Sequence, residues 1–157
     1  MTGQPGPPGA AGRPLPLVPA RTEPFWTGGA EGLLVVQRCS TCRRIIHPPG
    51  IRCPHDGSLE LAWEPVSGAA HLETWTVNLH QWFPGIEPPY VVALVSLLED
   101  PNARILTNVV GMDHAELREG MELQVTFHEV SDEEGTVWLP FFTTPDPIVA
   151  PSDGVPA

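Results

Sequence analysis

Short runs of alternating apolar and polar residues fill the middle of the chain, and this is the pattern of β-strands. Met121 to Val130 is the cleanest run, with Met121, Leu123, Val125 and Phe127 on one side. Tyr90 to Leu98 is almost continuously apolar, so we expect this strand to be buried on both faces. Further strands are predicted over residues 33–38, 59–66, 72–80, 105–110 and 136–142. The pattern is that of a mainly β protein.

Two short helical segments interrupt the strands. Glu23 to Glu31 carries the apolar anchors Phe25 and Trp26, but its glycines favour only a short, partner-dependent helix. Asp113 to Glu116 has a capping-box pattern that opens a second short helix. Three strands, a short helix and two strands follow the element order of a five-stranded OB-fold barrel, with the helix between strands three and four. We therefore predict this barrel over residues 67–142.

A cysteine cluster precedes the barrel. Cys39 and Cys42 form a CxxC turn, and Cys53 begins a second turn in which Asp56 occupies the place of a fourth cysteine. Two such turns present four side chains to one tetrahedral zinc ion. The spacing predicts a rubredoxin-like zinc ribbon, which together with the N-terminal helix spans residues 22–66.

The fourth zinc ligand has three candidates. Asp56 comes first because it stands in register with the missing cysteine, while His55 and His47 are alternatives that need a different backbone path. A carboxylate oxygen or an imidazole nitrogen can complete a zinc site. A degenerate ribbon that folds without metal stays open. In either case we expect a structural role and no catalytic residue.

Composition and charge limit the folded part of the chain, its partners and its location. Residues 1–21 and 143–157 are rich in proline and lack periodicity, so we predict a disordered N-terminal tail and a flexible C-terminal tail. The net charge of -11 would repel a phosphate backbone, which argues against nucleic acid as a partner. The sequence shows no signal peptide and no apolar run of membrane-spanning length, so we expect a cytoplasmic protein that does not bind membranes.

Basic residues are concentrated near the ribbon. Arg21, Arg38, Arg43, Arg44 and Arg52 are five of the eight. They form either a solvated face beside the metal or an anion or partner site, and Arg43, Arg44 and Arg52 are candidates for contacts to coenzyme A phosphates.

The loop between the first two barrel strands, His80 to Tyr90, is the other candidate site. It places Trp82, Phe83 and Ile86 on a connection that binds ligands in OB-folds. These side chains either fold back over the barrel or form a surface for a partner or ligand. We also assign a role in partner or ligand binding to Tyr90 and to the anchors Phe25 and Trp26.

Several motifs recur together in one known family. They are Pro24-Phe25-Trp26, Cys39-Ser-Thr-Cys42, Cys53-Pro54, Pro89-Tyr-Val-Val-Ala-Leu94, Asn108-Val-Val-Gly111 and Leu117-Arg-Glu-Gly-Met121. From about Pro24 to Phe142 the chain resembles the zinc-ribbon plus OB-fold family called domain of unknown function thirty-five. In this resemblance Cys39, Cys42 and Cys53 match zinc ligands, and Asp56 replaces the usual fourth cysteine.

The resemblance implies a non-catalytic accessory subunit. Family members bind thiolase-like enzymes, such as ketothiolases, acyltransferases or steroid side-chain aldolases, and help to form the acyl-CoA site. It therefore implies a thiolase-fold partner in a two-plus-two hetero-oligomer, a role in lipid or steroid degradation, and acyl-CoA as a shared ligand. Two alternatives remain: an OB-fold module that binds nucleic acid, and a stand-alone acyl-CoA-binding zinc protein.

Overall fold

The computed structural model describes residues 15–133 and 135–145 of the 157-residue chain. Most of the predicted N-terminal tail and of the predicted C-terminal tail lies outside these residues. The elements are helix α1 (Glu23–Thr27), a 3-10 turn (Gly28–Glu31), ribbon strands β1 (Leu34–Cys39), β2 (Ile45–Ile46) and β3 (Leu61–Val66), barrel strands β4 (Ala69–Asn78), β5 (Tyr90–Leu97) and β6 (Asp100–Val109), a second 3-10 turn (His114–Glu116), and strands β7 (Glu122–Asp132) and β8 (Gly135–Thr143).

The predicted fold class is confirmed. The chain is mainly β, with a short N-terminal helix, a three-stranded ribbon sheet and a closed five-stranded barrel. The predicted short helix between barrel strands three and four is a single 3-10 turn, whose first N–H groups are capped by Asp113: its side chain accepts a hydrogen bond from the Ala115 amide at 2.9 Å.

Helix α1 is short for reasons that the sequence contains. It begins at Glu23, and Pro24 lies in its first turn, where a missing N–H costs nothing. The 3-10 turn that follows ends at Gly32, which has a φ of 72° in the left-handed region. Phe25 is buried and makes an edge-to-face contact with Trp26 at 4.8 Å between ring centroids. Packing of these two rings therefore stabilises a five-residue helix that is too short to be stable by itself.

The ribbon sheet has the strand order β2-β1-β3, with both pairs antiparallel. Gln37 is a buried polar residue of β1, and its amide makes two hydrogen bonds to the backbone of Gly50, at 2.8 and 3.0 Å. This pairing satisfies the buried amide and fixes the turn that follows Pro48 and Pro49.

The base of the ribbon belongs to the core of the barrel. Phe25 of α1 and Leu34, Val36 and Ile45 of the ribbon are buried in one apolar cluster with the barrel interior, which includes Phe142. Within the ribbon, the tip has a separate small cluster, made of Cys39, Ile46 and Cys53. The ribbon and the barrel therefore share most of their buried apolar surface.

The barrel runs in the order β4-β5-β6-β8-β7, and its weakest junction lies between β6 and β8. These strands are parallel and share a single ladder pair, Val109 with Phe142. The Thr107 hydroxyl donates a hydrogen bond to the Pro140 carbonyl at 2.7 Å across this junction. We call the junction the seam, and the segment of residues 15–31 packs against it.

Three details differ from the sequence-based expectations. In β5, Val91, Ala93 and Val95 are buried, but Val92 and Leu94 are only half-buried, so the outer face of this strand is open. Leu79, which lies within the strand predicted over residues 72–80, is exposed because β4 ends at Asn78. Residues 15–21 were expected to be tail, yet Leu15 packs against the barrel. Among the described residues, no helix is long and apolar enough to cross a membrane.

Candidate functional site

The tip of the ribbon brings together the three cysteines and Asp56. Cys39 ends β1, and Cys42, Cys53 and Asp56 lie on the two turns that follow. One ligand atom from each of the four residues lies within 4.8 Å of all the others. The Sγ atoms of Cys42 and Cys53 are 3.6 Å apart, and Cys39 Sγ is 3.5 Å from Asp56 Oδ2.

These separations fit a zinc ion. With Zn–S bonds of about 2.3 Å and Zn–O bonds of about 2.0 Å, the edges of a tetrahedron are roughly 3.8 Å between two sulfurs and 3.5 Å between sulfur and oxygen. Three thiolates and one carboxylate are also donors that zinc accepts. The ribbon tip is therefore a metal-competent cluster, and its residues match the chemistry of a structural zinc site.

The two turns of the tip have the same backbone design. The Arg43 amide donates to the Cys39 carbonyl and the Gly57 amide donates to the Cys53 carbonyl, each at 3.0 Å. Arg43 and Gly57 both have left-handed backbones, with φ of 64° and 75°. The glycine after Asp56 therefore serves the conformation that the second turn requires, and Asp56 occupies the ligand position of that turn.

The electrostatics of the cluster favour anionic ligands at two of its positions. The Cys42 amide lowers the pKa of the Cys39 thiol, and the Ser58 amide lowers the pKa of the Asp56 carboxyl. For Cys42, an Arg44 amide that lowers the pKa is outweighed by burial and by the Cys53 and Cys39 thiols, so its pKa rises to about 11. A bound zinc ion would reverse this last effect, because it deprotonates a coordinating thiol.

The two histidine alternatives for the fourth ligand are not part of this cluster. His47 lies against the ring of Phe25, at 4.9 Å between centroids, and His55 is an exposed residue of the second turn. The group of metal-binding side chains in the described part of the chain contains Asp56 and no histidine. The geometry therefore favours Asp56 over both histidines.

The ribbon arginines differ in their availability. Arg43 makes two hydrogen bonds to the Glu64 carboxylate, at 2.8 and 2.9 Å, and Arg38 pairs with the same carboxylate at 3.0 Å. Arg44 and Arg52 are exposed and make no ion pair within the described residues. An anionic ligand would thus meet Arg44 and Arg52 more readily than Arg43.

A second feature is a cavity of about 550 Å³ at the seam, which we call the seam cavity. Helix α1 lines it with Phe25 and Trp26, the ribbon with His47 and its neighbouring prolines, and β6 with Leu106. Arg21 is the one charged residue in this lining. The cavity therefore lies where the N-terminal segment, the ribbon and the barrel meet, and its walls are mostly apolar.

The loop after β4 forms the rim of a neighbouring cavity. The Trp82 indole donates to Asn78 at 3.0 Å, and the same Asn78 side chain is hydrogen-bonded to the Tyr90 hydroxyl. Ile86 is buried beneath the loop, whereas Trp82 and Phe83 remain 64% and 45% exposed. Of the predicted loop residues, Ile86 and Tyr90 thus anchor the loop, and Trp82 and Phe83 present apolar surface to solvent.

The two cavities adjoin each other. The loop cavity, of about 410 Å³, is lined by Phe83, Ile86, Tyr90 and Val92, and it shares Leu106, Thr107 and Asn108 with the seam cavity. Leu106 stands between them and is 72% exposed. We call this combined surface the groove. It brings the predicted anchors Phe25 and Trp26 to the same side of the molecule as Phe83.

Sequence reasoning missed Leu106, and it considered His47 only as an alternative zinc ligand. Leu106 is the outward-facing residue of its strand, opposite Leu94 of β5. An apolar residue at an outward position was the available signal, but it required the register of β5 and β6. The sequence contained no indication that His47 is buried against Phe25, because this burial depends on the contact of α1 with the ribbon.

Comparison with known proteins identifies the family. A model described as the ChsH2 rubredoxin-like zinc ribbon domain matches residues 26–62, and one described as the ChsH2 C-terminal OB-fold domain matches residues 63–128. A solved chain described as the Ltp2-ChsH2(DUF35) aldolase is 36% identical, with a TM-score of 0.69, and the alignment covers 83% of this chain and 98% of that one. The chain belongs to the ChsH2 (DUF35) family. This confirms the family resemblance in the sequence.

Other relatives of this ChsH2-family chain are longer proteins. A probable enoyl-CoA hydratase alpha subunit of Thermomonospora curvata is 37% identical over 83% of the chain and 39% of that protein. A 3-oxo-4,17-pregnadiene-20-carboxyl-CoA hydratase alpha subunit of Mycobacterium tuberculosis is 29% identical over 74% of the chain and 36% of that protein. The chain therefore spans less than two-fifths of the length of these curated relatives.

A more distant ChsH2-family relative supports the fold alone. A protein of unknown function from the DUF35 family of Sulfolobus solfataricus is 14% identical, with a TM-score of 0.51, and the alignment covers 75% of this chain and 80% of that one.

Proposed function

We propose that this chain is an accessory subunit of an acyl-CoA-processing enzyme complex and that it docks on a thiolase-fold partner through the groove. The observation that carries the proposal is the open apolar surface around Leu106, Trp82 and Phe83, which are 72%, 64% and 45% exposed. Exposed apolar patches with polar rims are typical of interaction sites. The partner is suggested by the solved Ltp2-ChsH2(DUF35) aldolase, whose ChsH2 chain this chain matches almost end to end.

The groove and the loop at its edge have features of a protein interface. Trp82, next to Phe83 on this loop, is held in place by its hydrogen bond to Asn78, so little side-chain entropy remains to be lost when a partner covers it. Large, preorganised aromatic residues next to a pocket are typical of the residues that dominate binding energy. The half-buried Val92 and Leu94 extend the apolar surface along β5. A partner that covers this face would complete the burial that the sequence of β5 predicts.

The acyl-CoA site would lie between the two proteins. The seam cavity offers apolar walls for an acyl chain or pantetheine arm, and Arg21 lines it. Arg44 and Arg52 are exposed and available for phosphate contacts from the ribbon side. In this proposal zinc, held by Cys39, Cys42, Cys53 and Asp56, is structural: it fixes the ribbon tip and takes no part in the reaction.

The test is co-expression with a thiolase-like protein of the kind named in the solved Ltp2-ChsH2(DUF35) aldolase. We expect a stable complex on size-exclusion chromatography with light scattering, of two copies of each subunit. Leu106→Asp should abolish it, because a charge cannot be buried in an apolar interface. Leu98→Asp is the matched control: Leu98 is also exposed, lies on the hairpin turn of the same two strands and is outside the groove.

Two outcomes would contradict the proposal. If the chain stays monomeric when it is co-expressed with the thiolase-like protein, the proposed partner is wrong. Equal loss of binding in Leu106→Asp and Leu98→Asp would remove the groove as the docking surface but leave the partner in place.

A second candidate function is a stand-alone acyl-CoA-binding zinc protein, and the seam cavity is the observation that favours it. Its volume of about 550 Å³ lies in the range of small-molecule sites. Isothermal titration of the purified chain with an acyl-CoA distinguishes the two. Binding to the isolated chain supports this candidate, whereas binding only to the two-protein complex supports the accessory subunit. A nucleic-acid module is disfavoured by the net charge of -11.

A further inference from the structure

The four residues of the ribbon tip differ in burial and in how firmly they are held. Cys39 and Cys53 are fully buried, Cys42 is half-buried, and Asp56 is exposed. A metal held by them would thus be shielded by protein on the side of Cys39 and Cys53 and would meet solvent on the side of Cys42 and Asp56. An incoming ligand would therefore reach the metal from this solvent-facing side.

The Asp56 carboxylate uses its two oxygens for different purposes. Oδ1 accepts a hydrogen bond from the Ser58 amide at 2.9 Å, while Oδ2 is the oxygen nearer to Cys39 Sγ, at 3.5 Å against 3.7 Å. The Oδ2 separation is that of a tetrahedral edge, and Oδ1 is committed to the backbone. The carboxylate is thus placed to bind metal through a single oxygen.

From this geometry we infer that Asp56 is a displaceable ligand: it binds zinc through Oδ2 alone and yields its place to an external thiolate. The inference rests on the proposed zinc site. Thiolates are softer donors than carboxylates, and zinc accepts four of them. In the exchange the Zn–Oδ2 bond breaks and a Zn–S bond forms, the thiol proton passes to solvent, and the metal keeps its oxidation state. The freed carboxylate stays attached to the Ser58 amide.

The exchange should be a property of this position alone. Cys39 and Cys53 are buried. At the partly exposed Cys42, replacement of one thiolate by another would change neither donor type nor donor count. A ribbon with a fourth cysteine would therefore not respond to added thiol. Asp56→Cys creates that ribbon within the same fold, because the position already has the turn geometry of a ligand.

The experiment uses the full chain loaded with Co²⁺ in place of zinc, under anaerobic conditions, and 2-mercaptoethanol as the external thiol. The ultraviolet absorption of Co²⁺–thiolate bonds counts the sulfurs, and the visible bands report the geometry. For the wild type we expect the thiolate absorption to rise by about a third on addition of thiol, because a fourth sulfur joins three. Asp56→Cys should start at the higher absorption and stay there.

Two controls separate the inference from its alternatives. Asp56→Ala should differ from the wild type without thiol and coincide with it at saturating thiol. Glu60→Gln removes an exposed acid from the same turn region, outside the cluster, and should behave as the wild type throughout.

The outcomes are distinct. A wild-type spectrum that does not change with thiol, or one that Asp56→Ala reproduces without thiol, overturns the inference while leaving the metal site in place. Failure of the wild-type chain to bind Co²⁺ or Zn²⁺ at all overturns the proposed zinc site itself.

Discussion

Two outer faces of the same barrel are apolar, but the described part of the chain covers only one of them. On the outer face of β8, Val137, Leu139 and Phe141 are buried together with Val130, and Leu15 and Trp26 of the N-terminal segment pack against them. On the outer face of β5 and β6, Leu94 and Val92 are half-buried and Leu106 is exposed.

The difference indicates what each face is for. Residues 15–31 cover the β8 face in cis, so its apolar residues contribute to the stability of the isolated chain. No segment among the described residues covers the β5–β6 face, so its apolar residues contribute little to that stability and are available to another molecule. The comparison predicts that mutations on the covered face lower the stability of the isolated chain, whereas mutations on the open face leave it almost unchanged.

The largest expected effect is on the covered face. Phe141→Ala should lower the free energy of unfolding by about 3–5 kcal/mol, because it leaves a cavity in a buried cluster and removes the ring on which His128 stacks. Urea denaturation of the isolated chain measures this. A loss under 1 kcal/mol would mean that the N-terminal segment does not bury this face in solution.

Acid should weaken the contact of the N-terminal segment with the ribbon. Burial lowers the pKa of His47 to about 4 from 6.5. The unfolded chain therefore binds the proton first, so the stabilising effect of neutral His47 is complete above pH 6.5 and is lost as the pH falls towards 4. Linkage gives a loss of up to about 3 kcal/mol over this window.

The measurement is the free energy of unfolding against pH for the wild type and for His47→Gln. Zinc loss in acid affects both proteins, so their difference isolates His47. Among the described residues that line the seam cavity with His47, Arg21 is the one that carries a charge. His80→Gln, at an exposed loop position, should leave the pH dependence of the wild type unchanged; a His47→Gln profile parallel to the wild type would refute the assignment.

A smaller effect is expected where the N-terminal segment approaches β7 and β8. A Cβ on Gly29 would lie 2.4 Å from Trp138 Cβ and 2.6 Å from the Phe127 ring. Gly29→Ala should therefore cost about 1–3 kcal/mol through overpacking. Thermal unfolding of Gly29→Ala beside Glu31→Ala, an exposed position of the same 3-10 turn, tests the contact. Equal melting temperatures would show that the segment can move away at no cost.

The smallest effect on stability belongs to the open face. Leu106→Ser should change the free energy of unfolding of the isolated chain by less than about 0.5 kcal/mol, because the side chain is already in water. The same urea measurement as for Phe141→Ala applies. A large loss at Leu106 would mean that the face is covered within the chain, and the contrast between the two faces would disappear.

The sequence predicted the architecture because the strands have strong local patterns. The alternation of Met121 to Phe127 and the CxxC turn at Cys39 gave the element types directly. The order of elements then indicated the barrel. The metal-competent cluster was predicted for the same reason, since ligand spacing on two turns is a local property.

The groove could not be predicted in this way. Its position depends on which strands are neighbours in the barrel, because Leu106 becomes part of a surface only when β6 lies beside β5 and the loop containing Phe83. The burial of His47 depends on a contact between segments more than twenty residues apart. The sequence also left open whether Ile86 folds back over the barrel or faces a partner, and in the structure this side chain is buried.

The single-pair seam between β6 and β8 has a consequence for how this chain can be divided. Family boundaries separate a ribbon from a barrel near residue 62, yet Phe25, Leu34, Val36 and Ile45 are buried in the same cluster as the barrel interior. A barrel excised after the ribbon would lose those residues and the segment that packs on its seam. The two family models therefore divide the sequence near residue 62, whereas the buried apolar core extends across that boundary.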